Sequence, residues 1–272
     1  MRSSLRDLAP RLLRGERRRR IVEAATVAGP LLLSRDDRIM TPWLLSTGCW
    51  EAGDTALFQR MLRSGMTFVD VGAHVGYFSL LAASIVGETG RVLAFEPSPE
   101  NFELLQANVR NRGLASVSCF PWAVGAKNGS ANLHLAVDNS GDHRIEPAEE
   151  QRAKIEVPIV ALDSVPEITP PLHAVKIDIQ GAEEAAVRGM ERLLASSPDV
   201  FLVLEFWPYG IVRFGGDPRR ALDYYRSLGF VVRAQDPEVE GPADWSDDEI
   251  LEFCTRQDGW QHASLLLERG GD

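Results

Sequence analysis

The stretch Phe68-Val-Asp-Val-Gly-Ala-His-Val-Gly-Tyr-Phe78 narrows the folds open to this chain more than any other. An apolar run ends in Asp70, breaks at Gly72 and Gly76, and opens into Ser79-Leu-Leu-Ala-Ala-Ser-Ile-Val86. That order reads as a buried strand, a glycine turn and a helix. A second apolar run, Arg91-Val-Leu-Ala-Phe95, stops at the acid Glu96. An acid at the tip of the second strand of a doubly wound sheet is placed to hold ribose hydroxyls. The chain therefore reads as one that binds a nucleoside-containing cofactor.

The same alternation continues on both sides. Helix is expected over 77–85 and 99–111, the second with Ser98 as N-cap and Pro99 in its first turn. Strands are expected over 67–71, 92–96, 117–121, 174–178 and 200–205. A helix should run from Gly181 to about Leu194, and another from Pro218 to Leu228 with Asp217 as N-cap. Two short alternating runs, 130–135 and 154–157, read as antiparallel strands around a polar, glycine-containing surface loop. The runs 230–233 and 263–267 close the sheet and flank an acidic insert carrying Trp245 and Trp260. Upstream, residues 1 to about 28 read as helix, and a helix over 54–62 takes Asp54 as N-cap. The expected architecture is α/β, a doubly wound and mostly parallel sheet, with an N-terminal helical extension. Residues 1–60 are assigned to that extension and cap, and residues 61–272 to a cofactor-binding catalytic domain.

At 272 residues the chain can bury a full core. Its net charge of -10 argues against nucleic acid as the substrate. Cys49, Cys119 and Cys254 lie far apart and form no CxxC pair, which points to a reduced, cytoplasmic setting without a structural zinc. No segment is long and apolar enough to span a bilayer. The basic run Arg17-Arg-Arg-Arg20 precedes an apolar stretch in the manner of a leader, but Glu23 interrupts that stretch.

Asp70, Gly72, Glu96, Asp178 and Glu205 all fall at or just past expected strand ends, so they should line one edge of the sheet. A dinucleotide fingerprint is G-x-G-x-x-G, whereas Gly72-Ala-His-Val-Gly76 has a wider first spacing and no third glycine. S-adenosyl-L-methionine has no pyrophosphate to cradle. Its sulfonium, ammonium and ribose suit a site lined with carboxylates.

The ordered set Thr47-Gly-Cys-Trp-Glu51, Phe68-Val-Asp-Val-Gly72, Gly76-Tyr-Phe78, Ala94-Phe-Glu-Pro97, Leu105-Gln-Ala-Asn108 and Lys176-Ile-Asp-Ile-Gln-Gly-Ala-Glu183 resembles the FkbM family of S-adenosylmethionine-dependent methyltransferases. The resemblance covers about Gly48 to Phe206. It implies a class I methyltransferase (Rossmann-like) sheet with a reversed last strand. It also places Asp70, Gly72, His74, Gly76, Tyr77, Phe78, Glu96, Pro97, Ser98, Asn101, Trp122, Ala123 and Asp178 at the cofactor. The family commonly has asparagine where this chain has His74, and glutamate where it has Gln180.

Within that frame Gly72 and Gly76 let the backbone approach the methionine part of the cofactor. Glu96 accepts from the ribose, Asp70 orients the ammonium, and Trp122 and Ala123 flank the adenine. Asp178 is the leading candidate for acceptor-side chemistry, with His143 in the surface loop and Glu183 in a first helical turn as further catalytic candidates. Trp50, Glu205, Trp207 and Tyr209 are candidate walls of an acceptor pocket. No resident metal is expected, although Asp178 and Glu205 could offer oxygen ligands to magnesium. The expected activity is O-methylation of a sugar or specialised metabolite by a small-molecule methyltransferase, with a homo-oligomer left open. C- or N-methylation of an aromatic metabolite, an NAD(P)-dependent oxidoreductase and a non-catalytic cofactor-binding protein are the alternatives.

Overall fold

Alternate residues of the same strands enter two different cores. Val69, Val71, Leu93, Phe95, Val175, Ile177, Leu202 and Leu204 lie in one. Phe68, Val92, Ala94, Ala174, Phe201 and Val203 lie in the other. A strand that buries both of its faces belongs in the middle of a layered sheet, with helices on each side.

The computed structural model describes residues 20–136, 139–145, 152–235, 241–255 and 261–269. The chain begins with a hairpin, β1 (Ile21–Thr26) and β2 (Gly29–Ser34), then α1 (Met40–Thr47) and α2 (Ala52–Met61). The core follows as β3 (Thr67–Val71), α3 (Tyr77–Val86), β4 (Arg91–Phe95), α4 (Pro99–Asn111) and β5 (Val117–Phe120). A small sheet comes next, from β6 (Ala123–Val124), β7 (Gly129–Leu135) and β8 (Ala153–Val160). The chain returns through β9 (Ala174–Ile177), α5 (Glu183–Arg188), α6 (Glu191–Ala195), β10 (Phe201–Phe206), α7 (Pro208–Arg213) and α8 (Pro218–Ser227). It closes with β11 (Phe230–Gln235), β12 (Pro242–Ala243), α9 (Asp247–Thr255) and β13 (Ala263–Arg269). No helix among the described residues is long and apolar enough to cross a membrane.

The main sheet has the order β12-β11-β13-β10-β9-β3-β4-β5. Strands β5, β4, β3, β9 and β10 are parallel. Strand β13 runs antiparallel to both β10 and β11, which is the reversed last strand that was expected. The chain steps outward from β3 to β4 and β5, then crosses back to β9 and β10. The order therefore reverses between β3 and β9, and a crevice opens there at the carboxyl ends of the strands.

Four expectations are corrected. Residues 21–34 form a hairpin rather than the end of a helix. Leu31 and Leu33 alternate into the core, and Asn108 of α4 takes the Leu32 N–H at 2.7 Å and donates to the Leu32 carbonyl at 3.1 Å, so period 2 wins over period 3.6. Asp54 lies inside α2 rather than capping it; its carboxyl accepts from Gln235 at 2.7 Å and Ser264 at 3.0 Å. Ser98 makes no side-chain cap, and its N–H turns instead to Glu96. The helix expected from Gly181 to Leu194 is two short helices, parted at Gly189, where a Cβ would lie 2.1 Å from the Gly125 carbonyl oxygen. In the insert, Trp245 packs on Phe253 with ring centroids 5.1 Å apart, and Trp260 lies outside the described residues.

Candidate active site

The crevice is a cleft of about 720 Å³. The glycine turn after β3 forms its floor. Gly72 has φ +83°, and a Cβ there would lie 2.0 Å from the Asp178 carbonyl oxygen, so only glycine lets β3 and β9 end side by side. Gly76, at φ +96°, is packed against Leu105, not the cleft. Asn108 also donates to the Val75 carbonyl at 2.8 Å, which ties the turn to α4 and the hairpin.

At the β4 end of the cleft Glu96 is held by two backbone donors, His74 N–H and Ser98 N–H, each at 2.8 Å and on different oxygens. Burial pushes its pKa up to about 7 against those donors. Pro97, Asn101, Trp122 and Ala123 line the cleft around it. Trp122 leans on Phe120, which stacks on Phe95 at 4.8 Å, so an aromatic wall backs this end.

The charged centre lies between β3, β9 and β10. Lys176 is buried, with its Nζ 2.9 Å from Asp178 Oδ2, 3.6 Å from Glu51 Oε2 and 4.6 Å from the Phe78 ring centroid. Burial works to lower its pKa, but Asp178, Glu51, Asp54 and Asp70 overcome that and hold the ammonium charged. Burial works to raise Asp178, but Lys176 and the Gln180 amide, donating at 3.0 Å, hold it below the usual carboxylate range. Glu51 also feels Lys176, at the longer distance, but no amide donor joins it. Its Oε2 is buried without a hydrogen bond, and desolvation raises the group to about 8. Asp70 accepts from Ser79 at 2.5 Å, yet burial lifts it to about 6. Glu205 accepts from Gln180 at 2.8 Å, and burial with neighbouring carboxylates drives it well above its ordinary value.

Three non-glycine residues among those described have positive φ: Glu51 (42°), His74 (51°) and Gln180 (57°). All three line the cleft. Left-handed backbone at ordinary residues is uncommon and gathers where the surrounding structure holds a side chain for use.

The cleft brings together Trp50, Asp70, Gly72, His74, Tyr77, Phe78, Glu96, Pro97, Asn101, Trp122, Ala123, His143, Asp178, Glu205 and Trp207. It does not bring in four expected residues. Gly76 and Ser98 support the turn and Glu96 from behind. Tyr209 packs at a tilt on Trp207, with ring centroids 5.5 Å apart, outside the lining. Glu183 is buried and clamps its own turn, taking the N–H groups of Ile179 at 3.0 Å and Gly181 at 3.0 and 3.1 Å. That carboxyl has no face toward an acceptor. His143 reaches the cleft, but its Nδ1 accepts from the Ala136 N–H at 3.0 Å, and burial pulls its pKa down to about 4. The neutral ring therefore carries its proton on Nε2 and is a donor, not a base.

Sequence reading missed Glu51, Lys176, Asp37, Ser140, Arg144 and His262. Glu51 and Lys176 were visible as the last and first letters of recognised motifs, but only folding sets them against each other.

A crevice at the switch point, floored by a glycine turn and walled by a buried acid held on backbone donors, defines a cofactor-binding α/β protein with the class I methyltransferase sheet. The chain matches the Methyltransferase FkbM domain over residues 70–232 and belongs to that family. It is 42% identical over 62 residues to a "probable cobalt-precorrin-6B C(15)-methyltransferase (decarboxylating)" of Sulfolobus acidocaldarius, a match over 23% of this chain and 32% of that protein. The chain thus spans about a third of the length of that curated relative. Among solved structures it is similar to a methyltransferase FkbM from Methylobacillus flagellatus KT, with 13% identity over 79% of this chain and 51% of that one and a TM-score of 0.48. It is also similar to an rRNA methylase from Streptococcus thermophilus, with 12% identity over 80% and 95% and a TM-score of 0.47.

Proposed function

We propose that this chain uses S-adenosyl-L-methionine to methylate a hydroxyl of a small molecule, a sugar or specialised metabolite. The observation that carries the reading is the charge balance of the cleft. One lysine, Lys176, faces Glu51, Asp54, Asp70, Asp178 and Glu205, and four of these, all but Asp178, are pushed toward holding protons. A ligand that brings positive charge offsets this excess. A pyrophosphate would add to it.

The residues fit the cofactor from one end to the other. Glu96 has both oxygens anchored by backbone and is set to accept from ribose hydroxyls. The aromatic wall of Trp122, Phe120 and Phe95 suits an adenine ring. Asp70 supplies negative charge beside the glycine turn for an ammonium, and a bound ammonium favours the ionised form of Glu51 as well. When bound, the cofactor supplies an electrophilic methyl group on a cationic sulfur.

The acceptor side is Trp50, Gln180, Glu205 and Trp207, with the Arg144 guanidinium 5.0 Å over the Trp207 ring. Aromatic faces beside an amide and a carboxyl group suit a ring that carries several hydroxyls. Asp178 accepts from the reacting hydroxyl and orients its oxygen. The hydroxyl becomes acidic only as its oxygen gains the methyl group, and its proton then passes to Asp178. A carboxylate held ionised by Lys176 is sufficient for so late a transfer. The same tryptophan walls also support a second reading, methylation of nitrogen or carbon on a flat aromatic metabolite.

Calorimetric titration of the full chain with S-adenosylmethionine, S-adenosylhomocysteine and NAD tests the proposal. The two sulfur compounds should bind and NAD should not. Glu96→Ala should weaken S-adenosylhomocysteine by about tenfold or more, the cost of leaving buried hydroxyls without an acceptor. Binding of NAD alone, or unchanged affinity in the variant, would sink the reading.

A further inference from the structure

Asp37 serves two segments with its two oxygens. Oδ1 accepts from the N–H groups of Ile39 at 3.0 Å, Met40 at 2.6 Å and Thr41 at 3.3 Å, the open donors at the start of α1. Oδ2 accepts from Ser140, 103 residues away in the chain, at 2.9 Å from its N–H and 2.5 Å from its hydroxyl. Asp37 is 6% exposed. Burial acts to raise its pKa, but the Ser140 hydrogen bonds and His74 keep it ionised.

Ser140 has further holds. Its Oγ lies 2.7 Å from His74 Nε2. A hydroxyl has one proton, and here that proton goes to Asp37, so His74 must donate from Nε2 to Ser140 Oγ. Asn101 Nδ2 donates to the Ser140 carbonyl at 3.2 Å. The entry to α1, the glycine turn and α4 therefore all meet on one serine.

That serine belongs to residues 139–145, and each of these seven lines the cleft. At the far end Arg144 is paired through its backbone with His134 of β7, at 2.8 and 3.2 Å. Arg144 is the one fully buried residue of the seven, so apolar packing holds the segment weakly. At the near end Ser140 ties the segment to Asp37, His74 and Asn101. The His74 that touches Ser140 also presents its backbone N–H to Glu96, so Ser140 stands over the nucleoside end.

We propose that residues 139–145 form a strap across the nucleoside end of the cleft, and that Asp37 is the positioning residue that holds it closed through Ser140. The proposal rests on the reading of the cleft as the S-adenosylmethionine site. A closed strap keeps water from the Glu96 region and slows the escape of the nucleoside. Its release requires breaking the charge-assisted pair to Asp37 and the weaker Ser140 bonds to His74 and Asn101 rather than dismantling a core. Because Asp37 also caps α1, the strap and the helix that carries Trp43 and Met40 to the mouth of the cleft share one anchor.

Asp37→Asn separates the two roles. Its side-chain oxygen can still cap α1, but an amide NH₂ replaces Oδ2 and faces two Ser140 donors. Ser140→Ala removes the hydroxyl, and Ser140→Thr keeps it. The measurement is dissociation of S-adenosylhomocysteine from the full chain, followed by tryptophan fluorescence in a stopped-flow instrument. Dissociation should be faster by about tenfold in Asp37→Asn and Ser140→Ala, the scale of one such bond. Ser140→Thr should stay near the unsubstituted rate. Melting temperatures of the free proteins, taken in parallel, monitor the α1 cap. Should Asp37→Asn melt early, the Ser140 pair decides. Unchanged dissociation in Ser140→Ala, or equal acceleration in Ser140→Thr, overturns the strap. Failure of the unsubstituted chain to bind S-adenosylhomocysteine overturns the cofactor reading, and the strap with it.

Discussion

Asp178 and Glu51 face the same ammonium and end in opposite states. Asp178 lies at 2.9 Å from Lys176 with an amide donor added, so it stays charged. Glu51 lies at 3.6 Å with a buried oxygen that no donor reaches, so desolvation wins. Less than an ångström and one hydrogen bond separate an anion from a group that holds its proton near neutral pH. The sequence shows both acids but not that difference. Asp178→Asn should leave S-adenosylhomocysteine affinity within about threefold and slow labelled-methyl transfer to acceptors in a metabolite extract by about a hundredfold, the scale of an acid–base group. Transfer at the unsubstituted rate would remove Asp178 from the chemistry. His143 teaches the converse lesson. A histidine in a loop over a cleft suggests a base, but its Nδ1 is already committed to the Ala136 N–H.

The turn from β9 into α5 shows how an element can mislead. Lys176-Ile-Asp-Ile-Gln-Gly-Ala-Glu183 reads as a site motif, and its first five residues bear this out only in part. Lys176 and Asp178 form the charged centre, while Gln180 sits at φ 57° and bridges Asp178 and Glu205. Gly181 follows at φ +105°, with the Gly210 backbone so close that a Cβ would lie 2.5 Å from its carbonyl carbon. Glu183 closes this tight turn from inside. Glu183→Ala should therefore lower stability by about 2–3 kcal/mol, since two buried N–H donors lose their acceptor. Urea unfolding measures it, and a loss below about half a kcal/mol would mean that the carboxyl does not hold the turn. The hairpin β1–β2 misled in the other direction. Residues up to about 28 read as helix, but Leu31 and Leu33 needed a surface at strand spacing, and Asn108 offered the paired hydrogen bonds of a missing neighbour strand.

Across the whole molecule, burial leaves a set of carboxyl groups that resist ionisation. Glu51 titrates near 8, Glu96 and Glu183 near 7, and Asp70 near 6, against ordinary values of 4.5 and 3.8. Each binds a proton in the folded chain where the unfolded chain has already released it. The stability they contribute is present below the ordinary value and is lost as pH rises through the folded one. Buried His74 and His143 act oppositely, with folded values pulled below 6.5, and their contribution is complete near neutrality. Above pH 7 the carboxyls set the sign. The free protein should melt at falling temperatures from pH 7 to 8.5, and saturating S-adenosylmethionine should flatten that slope by offsetting the negative charge. A level or rising melting temperature over that range, read by scanning fluorimetry, would contradict the assignment.

The order of strand and helix from Thr67 to Phe120, the glycine turn and the acid just past β4 were determined by sequence alone, because each depends on periodicity and on residues with narrow backbone demands. The pairing of Lys176 with Glu51, the neutral donor state of His143, the inward clamp of Glu183 and the grip of Asp37 on Ser140 were decided only in three dimensions. These depend on which groups lose water together and on distances between segments that the chain brings together from far apart.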